Sequence, residues 1–402
     1  MRICYISSYP PTICGIGDYT ESLVKELVRI NPNIKIDIIA EYEARSDVDT
    51  IKVHPLFDRK NYSGKEIISA IRRIKPEITH VQHSFGILGA DQRAINVLEA
   101  AKELGSKIVV TFHTVHSRET VDFKVQGYDI EEYNRIISSY ADHIIVHTNS
   151  MKSVLVRQGV SRDKISVIRI GAFKFSKISK EEARRKLRIP HNEKILLVPG
   201  FIHRTKGTDI AIKVCKELTK YANNFKLIIA GWVHPKEFDN RNIEYAYKCL
   251  EIVNKYDLED SVIFTRKNLS REELATYVSA SDLILLLYTQ INWSASGVLK
   301  LAIGAKKPFI VTRIPKFEEV SEEISDEITV LPSEVDRIAK IAYRLLYDEE
   351  FRGQIIKRIE AYARRVSWRN IASKHLKVYS RLIDIRPALY YIPSRQAATS
   401  VV

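Results

Sequence analysis

The sequence predicts an α/β protein built as two doubly wound domains, each a parallel sheet with helices on both faces. Three observations predict it. Short runs rich in Ile, Val and Leu recur through both halves of the 402-residue chain. Helical apolar periodicity fills the intervals between them, and polar, glycine-bearing turns collect just after them.

In the first half the aliphatic runs are 3–7, 35–40, 78–83, 107–113, 143–148 and 165–170. In the second they are 194–200, 226–231, 261–265, 283–287, 308–312 and 328–331. They need not alternate, as expected of parallel strands buried on both faces. Over 90–104, Ala94, Val97, Leu98, Ala101 and Leu104 make one helical stripe, with Gly105 placed to close it. Over 209–218 the stripe is Ile210, Val214 and Leu218, with Thr208 as the expected N-cap. A last helix over 367–383 carries Trp368, Ile371, Ala372, His375, Leu376, Tyr379 and Leu382 on one face. The expected division is an N-terminal domain over 1–172, a linker over 173–192, a C-terminal domain over 193–365, a final helix over 366–385 and a tail over 386–402.

Composition narrows the class. Apolar residues make up 45% and charged residues 28%, a soluble globular profile, and no apolar run has the ~20 residues of a membrane span. The N-terminus enters a strand directly, which reads as no signal peptide, and Cys4, Cys14, Cys215 and Cys249 lack metal-site spacing, so reduced cytoplasmic thiols are expected. The net charge of +14 favours anionic partners: a phosphorylated substrate, an acidic membrane surface or nucleic acid. Basic residues are spread along the chain without interleaved aromatics, which argues against nucleic acid.

Ligands of open parallel sheets bind beyond the carboxyl ends of the strands. Those ends carry Pro10-Pro11-Thr12-Ile13-Cys14-Gly15-Ile16-Gly17, then His83 and His113. In the second half they carry Gly200 to Gly207, Gly231 to His234, Lys267-Asn268 and Asn292 to Gly297. Two polar edges facing across a cleft would bind one substrate each, which points to a transferase.

Gly15-Ile16-Gly17, with Glu41 ending the second strand, has a dinucleotide-binding reading, but Thr20 stands where the third glycine belongs. His203-Arg204-Thr205-Lys206-Gly207 places two cations at a strand-to-helix turn, where they would neutralise a diphosphate or serve as solvated loop charges. His113 is either a satisfied core residue or a cleft residue. His80 and His83 are three apart on a strand and face opposite ways, so they make no local metal pair. No HExxH, CxxC or carboxylate cluster suggests a metal or other cofactor. The stretch from Tyr288 to Pro308 contains no carboxylate and no histidine, yet puts Ser296-Gly297 at a helix start suited to an anion.

Taken together, the Pro-Pro loop ending at Gly17, Gln82 to Gly86, Thr111 to Val115, Val167 to Gly171, Gly200 to Gly207, Leu258 to Asp260, Ser279 to Asp282, Tyr288 to Pro308 and Trp368 resemble the family 4 glycosyltransferases of the GT-B fold. The resemblance implies a nucleotide-sugar donor, UDP- or GDP-linked, on the second domain. It implies a sugar, lipid-linked or small-molecule acceptor on the first, and a final helix crossing back. It implies hexosyl transfer with retention; the residues themselves add the expectations of metal independence and of a cytoplasmic protein, with the charge allowing peripheral contact to the inner face of an anionic membrane.

Lys206 matches the family lysine on the donor diphosphate. The family arginine falls at Phe201, leaving Arg204 as substitute. His113 matches a histidine by the reacting sugar, and Gly15 and Gly17 the loop near the leaving phosphate. Gly200, Lys267, Asn268 and the amides of Ser296, Gly297 and Val298 complete the expected donor side, with His83 beside His113 on the acceptor side. The two family glutamates spaced E-x7-E fall at Trp293 and Leu301, in a branch reading Ser-Gly-Val-Leu. The residues alone leave open an NAD-linked oxidoreductase or nucleotide-sugar epimerase, and a non-enzymatic binder of anionic surfaces or nucleic acid.

Overall fold

The computed structural model describes residues 1–383 apart from 60, 90, 122–127, 174–177 and 235–239. The first half runs β1 (Arg2–Ile6), α1 (Gly15–Ile30), β2 (Lys35–Glu41), β3 (Ile51–Phe57), α2 (Lys65–Ile74), β4 (Ile78–His83), α3 (Phe85–Leu88), α4 (Gln92–Glu103), β5 (Lys107–Phe112), β6 (Thr114–Val115), α5 (Ile130–Tyr140), β7 (His143–Val146), α6 (Asn149–Arg157) and β8 (Ile165–Val167). The second runs α7 (Lys180–Leu187), β9 (Lys194–Pro199), α8 (Thr208–Leu218), β10 (Phe225–Ala230), α9 (Asn240–Lys255), β11 (Val262–Phe264), α10 (Arg271–Ala280), β12 (Leu283–Leu286), β13 (Trp293–Ser294), α11 (Gly297–Gly304), β14 (Phe309–Thr312), α12 (Glu318–Glu323), β15 (Thr329–Val330), α13 (Val335–Tyr347), α14 (Glu349–Arg365) and α15 (Trp368–Leu382).

Two parallel sheets result, ordered β3-β2-β1-β4-β5-β7-β8 and β11-β10-β9-β12-β14-β15. Strand order reverses direction between β1 and β4 and again between β9 and β12, and each reversal opens a crevice at the carboxyl ends. Every aliphatic run of the sequence lies on one of these strands. β3 escapes the periodicity reading because it is an edge strand, half exposed and carrying His54 and Pro55.

Two short strands join the halves. β13 pairs antiparallel with β6, Trp293 opposite Val115 and Ser294 opposite Thr114. Trp293 is 8% exposed and packs with the core of the first sheet. At the far end of the chain α15 lies against α1. Tyr379 Oη is 2.7 Å from Tyr5 Oη and 2.7 Å from His80 Nδ1, and Tyr19 Oη is 3.0 Å from His375 Nε2. Trp368 covers Gly171 so closely that a β-carbon there would sit 2.5 Å from the indole.

Three local expectations change. Gly207, at φ +67°, is the N-cap of α8; Thr208 is its first helical residue, with a buried hydroxyl that lacks a hydrogen-bond partner among the described residues. The segment 173–192 contains α7, whose buried Arg184 is held by Asp282 at 2.7 Å and by the carbonyls of Pro190 and His191. The expected loop glycines Gly15 and Gly17 lie in the first turn of α1. The expected tail, 386–402, lies outside the described residues.

Gly304 ends α11 where the Phe173 carbonyl passes over it, and a β-carbon would come within 2.0 Å of that oxygen. The neighbour is backbone and cannot rotate away, so Gly304→Ala should lower stability by about 1–3 kcal/mol. Chemical denaturation of the variant beside the native chain measures it.

Candidate functional site

The crevice between β9 and β12 gathers residues from four connections. Gly207 allows the end of β12 to come close, since a β-carbon there would lie 2.0 Å from the Leu287 carbonyl. That contact, with Thr289 N donating to Thr205 O at 2.9 Å, brings the turn before α8 against the residues after β12. Lys206 Nζ consequently lies 3.6 Å from where a β-carbon on Gly200 would stand, and 5.9 Å from the centroid of the Tyr288 ring. A second ammonium, that of Lys316, lies 5.6 Å from the same centroid. Tyr288 is fixed from behind: Phe317 packs edge-on at 5.2 Å, Thr312 Oγ1 donates to its carbonyl at 2.6 Å, and Ser296 adjoins its phenol.

Both lysines are half-buried, and neither has a carboxylate partner among the described residues. Burial, then the charge of Lys316, pulls Lys206 down to about 8. Burial does the same to Lys316. The carboxylates that follow Lys316 in sequence are engaged elsewhere. Glu319 is fully inside with the Lys300 ammonium and the Tyr362 hydroxyl. Burial would raise its carboxyl, but the charges of Lys300 and Arg169 outweigh it and hold it low. Glu318 accepts from the backbone amides of Asn149 and Ser150, at the start of α6, and from Arg169 at 2.9 Å. Glu322 takes the other arm of Arg169 at 2.7 Å.

α11 starts beside this crevice. The Ser296 hydroxyl caps it by accepting from Leu299 N at 3.2 Å, while Gly297 is exposed and Val298 half-buried in its first turn. First-turn amides have no partner within their own helix, so those of Gly297 and Val298 are available to an anion.

On the first domain, His113 follows β5 and is 8% exposed. Burial and the neighbouring histidines hold it well below the usual imidazole range, so it is neutral at pH 7. Its hydrogen bonds belong to a chain whose direction can be assigned. His147 Nδ1 lies 2.9 Å from the Ile168 carbonyl, which only accepts, so Nδ1 carries the proton and Nε2 accepts from His113 Nδ1 at 3.2 Å. His113 Nε2 must then accept. It faces the Gln82 amide (Oε1) at 2.8 Å, so that amide is assigned with its NH2 toward His113 and its oxygen toward His80 Nε2. His80 Nε2 donates also to Thr111 Oγ1 at 2.8 Å, and His80 Nδ1 accepts from Tyr379. Both nitrogens of His113 are thus engaged by protein groups. His83 is 1% exposed among Phe85, Phe112 and Tyr133, and burial pulls it down to about 4.

The remaining expected residues are dispersed. Arg204 is exposed, its backbone amide donating to Asn242 Oδ1 at 3.1 Å. Lys267 is exposed and paired with Glu273 at 2.7 Å, and Asn268 is exposed beside it. Of the two E-x7-E positions, Trp293 lies in the β6–β13 contact and Leu301 is half-buried on α11. Sequence reading missed Lys316 and Tyr288. Tyr288 stood first in the stretch singled out, so its place at the end of β12 was an available signal; Lys316 had none. Among the described residues no group of three or more His, Cys, Asp or Glu is assembled as a metal site, and no helix is long and apolar enough to cross a membrane.

Two family models match the chain: Glycosyltransferase Family 4 over residues 13–172 and Glycosyl transferases group 1 over residues 179–362. An uncharacterized glycosyltransferase of Methanocaldococcus jannaschii is 22% identical over 410 residues, spanning 96% of this chain and 99% of its own. D-inositol 3-phosphate glycosyltransferase of Corynebacterium urealyticum is 24% identical over 252 residues, 60% of this chain and 57% of its own. Among solved structures, Anabaena HepE in complex with UDP superposes with a TM-score of 0.73 at 14% identity, covering 95% of this chain and all of that one. Sucrose-phosphate synthase of Thermosynechococcus elongatus gives 0.68 at 16% identity, covering 96% and 100%.

The two lysines are cations below about pH 8 and lose their protons above it. Lys316 is the charged group acting on Lys206, while Glu318 and Glu319 are turned to other partners. Affinity for inorganic pyrophosphate should therefore be full at pH 6.5–7 and fall as pH rises through about 8, as read by titration calorimetry across that range. An affinity that is flat to pH 9.5 would contradict control of binding by the charges of these two lysines.

Proposed function

The chain belongs to the GT-B glycosyltransferases, with a family 4 first half and a group 1 second half, and from that premise we propose that it moves a hexose from a UDP- or GDP-linked sugar to a hydroxyl acceptor, retaining the anomeric configuration and needing no metal. The observation that carries the donor side is Lys206, half-buried at the strand-order reversal of the second sheet and without a carboxylate partner among the described residues. An ammonium in that state is a receptor for phosphate. That HepE was solved with UDP in the same fold supports a nucleotide diphosphate as the leaving group.

As the bond between sugar and diphosphate breaks, negative charge grows on the leaving phosphate and the sugar gains oxocarbenium character. Lys206 and the first-turn amides of α11 are suited to the first of these. The departing phosphate can itself accept the proton of the attacking hydroxyl, so the reaction asks for no protein base. That fits the engagement of Glu318, Glu319 and Glu322 away from the donor crevice, and fits His113, whose nitrogens are committed to Gln82 and His147. The acceptor belongs on the first domain, where the β6–β13 contact lies next to His113 and would help exclude water. With Trp293 in that contact and Leu301 on α11, recognition of the sugar would proceed without the two family glutamates.

Assay of a panel of nucleotide sugars in the presence of a chelator, with the product anomer read by NMR, tests the reading. It expects turnover of a UDP or GDP sugar with retention. Lys206→Ala should lower kcat/KM by roughly 10²–10³-fold while the fold survives. A variant with native activity would remove Lys206 from the site.

A further inference from the structure

The family arginine position is occupied by Phe201, and Arg204 is exposed. One lysine is weak neutralisation for a diphosphate that leaves with two to three negative charges. We infer that Lys316 is the second diphosphate-binding cation of this enzyme, supplied from the connection after β14 in place of the missing arginine. The inference rests on the donor side of the proposed function and adds a residue to it.

Four observations carry it. Lys316 and Lys206 approach the same ring, at 5.6 and 5.9 Å from the Tyr288 centroid, so they stand no farther apart than those two distances allow. The charge of Lys316 acts on Lys206, so one leaving group bound at this ring would meet the field of both. Neither ammonium has a carboxylate partner among the described residues, although Glu318 and Glu319 follow Lys316 closely. Those acids are drawn to the far side by Arg169, the α6 amides and Lys300, which leaves the lysine side of the segment positive. The position is also firm: Phe317 is buried against Tyr288, and Ile314 and Phe317 close the 3-10 turn that bears Lys316.

Two like charges held half-buried without a counter-ion cost stability to the empty protein, and an anion relieves that cost. Burial lowers the affinity of both lysines for protons, and a bound diphosphate restores it. Binding near pH 8 should therefore draw protons from solution.

The test compares the native enzyme with Lys316→Met, Lys316→Arg and Arg204→Met. The readouts are titration with UDP, GDP and inorganic pyrophosphate in buffers of differing ionisation enthalpy, and the thermal midpoint of the empty protein. Lys316→Met should bind the diphosphates roughly 10- to 100-fold more weakly and take up fewer protons. It should melt at or above the native midpoint, whereas loss of a structural residue would lower it. Lys316→Arg should retain most of the affinity, and Arg204→Met nearly all of it. Native-like binding by Lys316→Met, or the loss appearing instead in Arg204→Met, would overturn Lys316 and leave the function standing. Absence of diphosphate binding by the native enzyme would overturn the donor reading and Lys316 with it.

Discussion

A half-buried cation without a counter-charge is costly, and among the described residues the second domain keeps two of them, Lys206 and Lys316, in that state. Lys206 comes from the turn before α8 and Lys316 from the turn after β14, and Tyr288 at the end of β12 presents its ring to both. Acids that could quench them stand within a few residues of Lys316. Each is bound elsewhere: Glu319 to Lys300 and Tyr362, Glu318 to Arg169 and the amides that start α6, Glu322 to Arg169. The unneutralised pair follows from that division of partners.

The same division ties the crevice that holds the two lysines to the other domain. The segment from Lys316 to Glu322 faces the crevice with its lysine and the first domain with Glu318 and Glu322. Arg169, which Glu318 and Glu322 hold, donates to the carbonyl of His147, and His147 is the proton-accepting neighbour of His113. Beside this contact, β6 continues directly from His113 into its pairing with β13. A change in the angle between the domains would therefore disturb Lys316, Trp293 and the histidine chain together.

Much of this fold was legible because parallel strands buried on both faces leave an unmistakable record. Runs such as 194–200 and 283–287 marked both the sheets and the ends at which residues like Lys206 would meet ligand. β3 was not legible, since an edge strand with His54 and Pro55 lacks the apolar signature. Nor was the N-cap of α8: Thr208 has the better capping side chain, but only Gly207 tolerates both φ +67° and the Leu287 carbonyl. Lys316 escaped for a different reason. It lies in a basic, acidic and aromatic mixture typical of a solvated turn, and its meaning comes from Tyr288 and Lys206, which reach it only through the order of strands in the sheet. Trp293 escaped likewise, because its partner Val115 belongs to the other domain.

The central claim is that this crevice recognises a diphosphate by two uncompensated lysine charges. The most direct measurement is the thermal midpoint of the enzyme with a nucleoside, its monophosphate and its diphosphate, for uridine and guanosine, beside NAD. Little protection by the nucleoside is expected, with the rise concentrated at the second phosphate for one of the two bases. Equal protection by nucleoside and diphosphate, or protection by NAD alone, would contradict it.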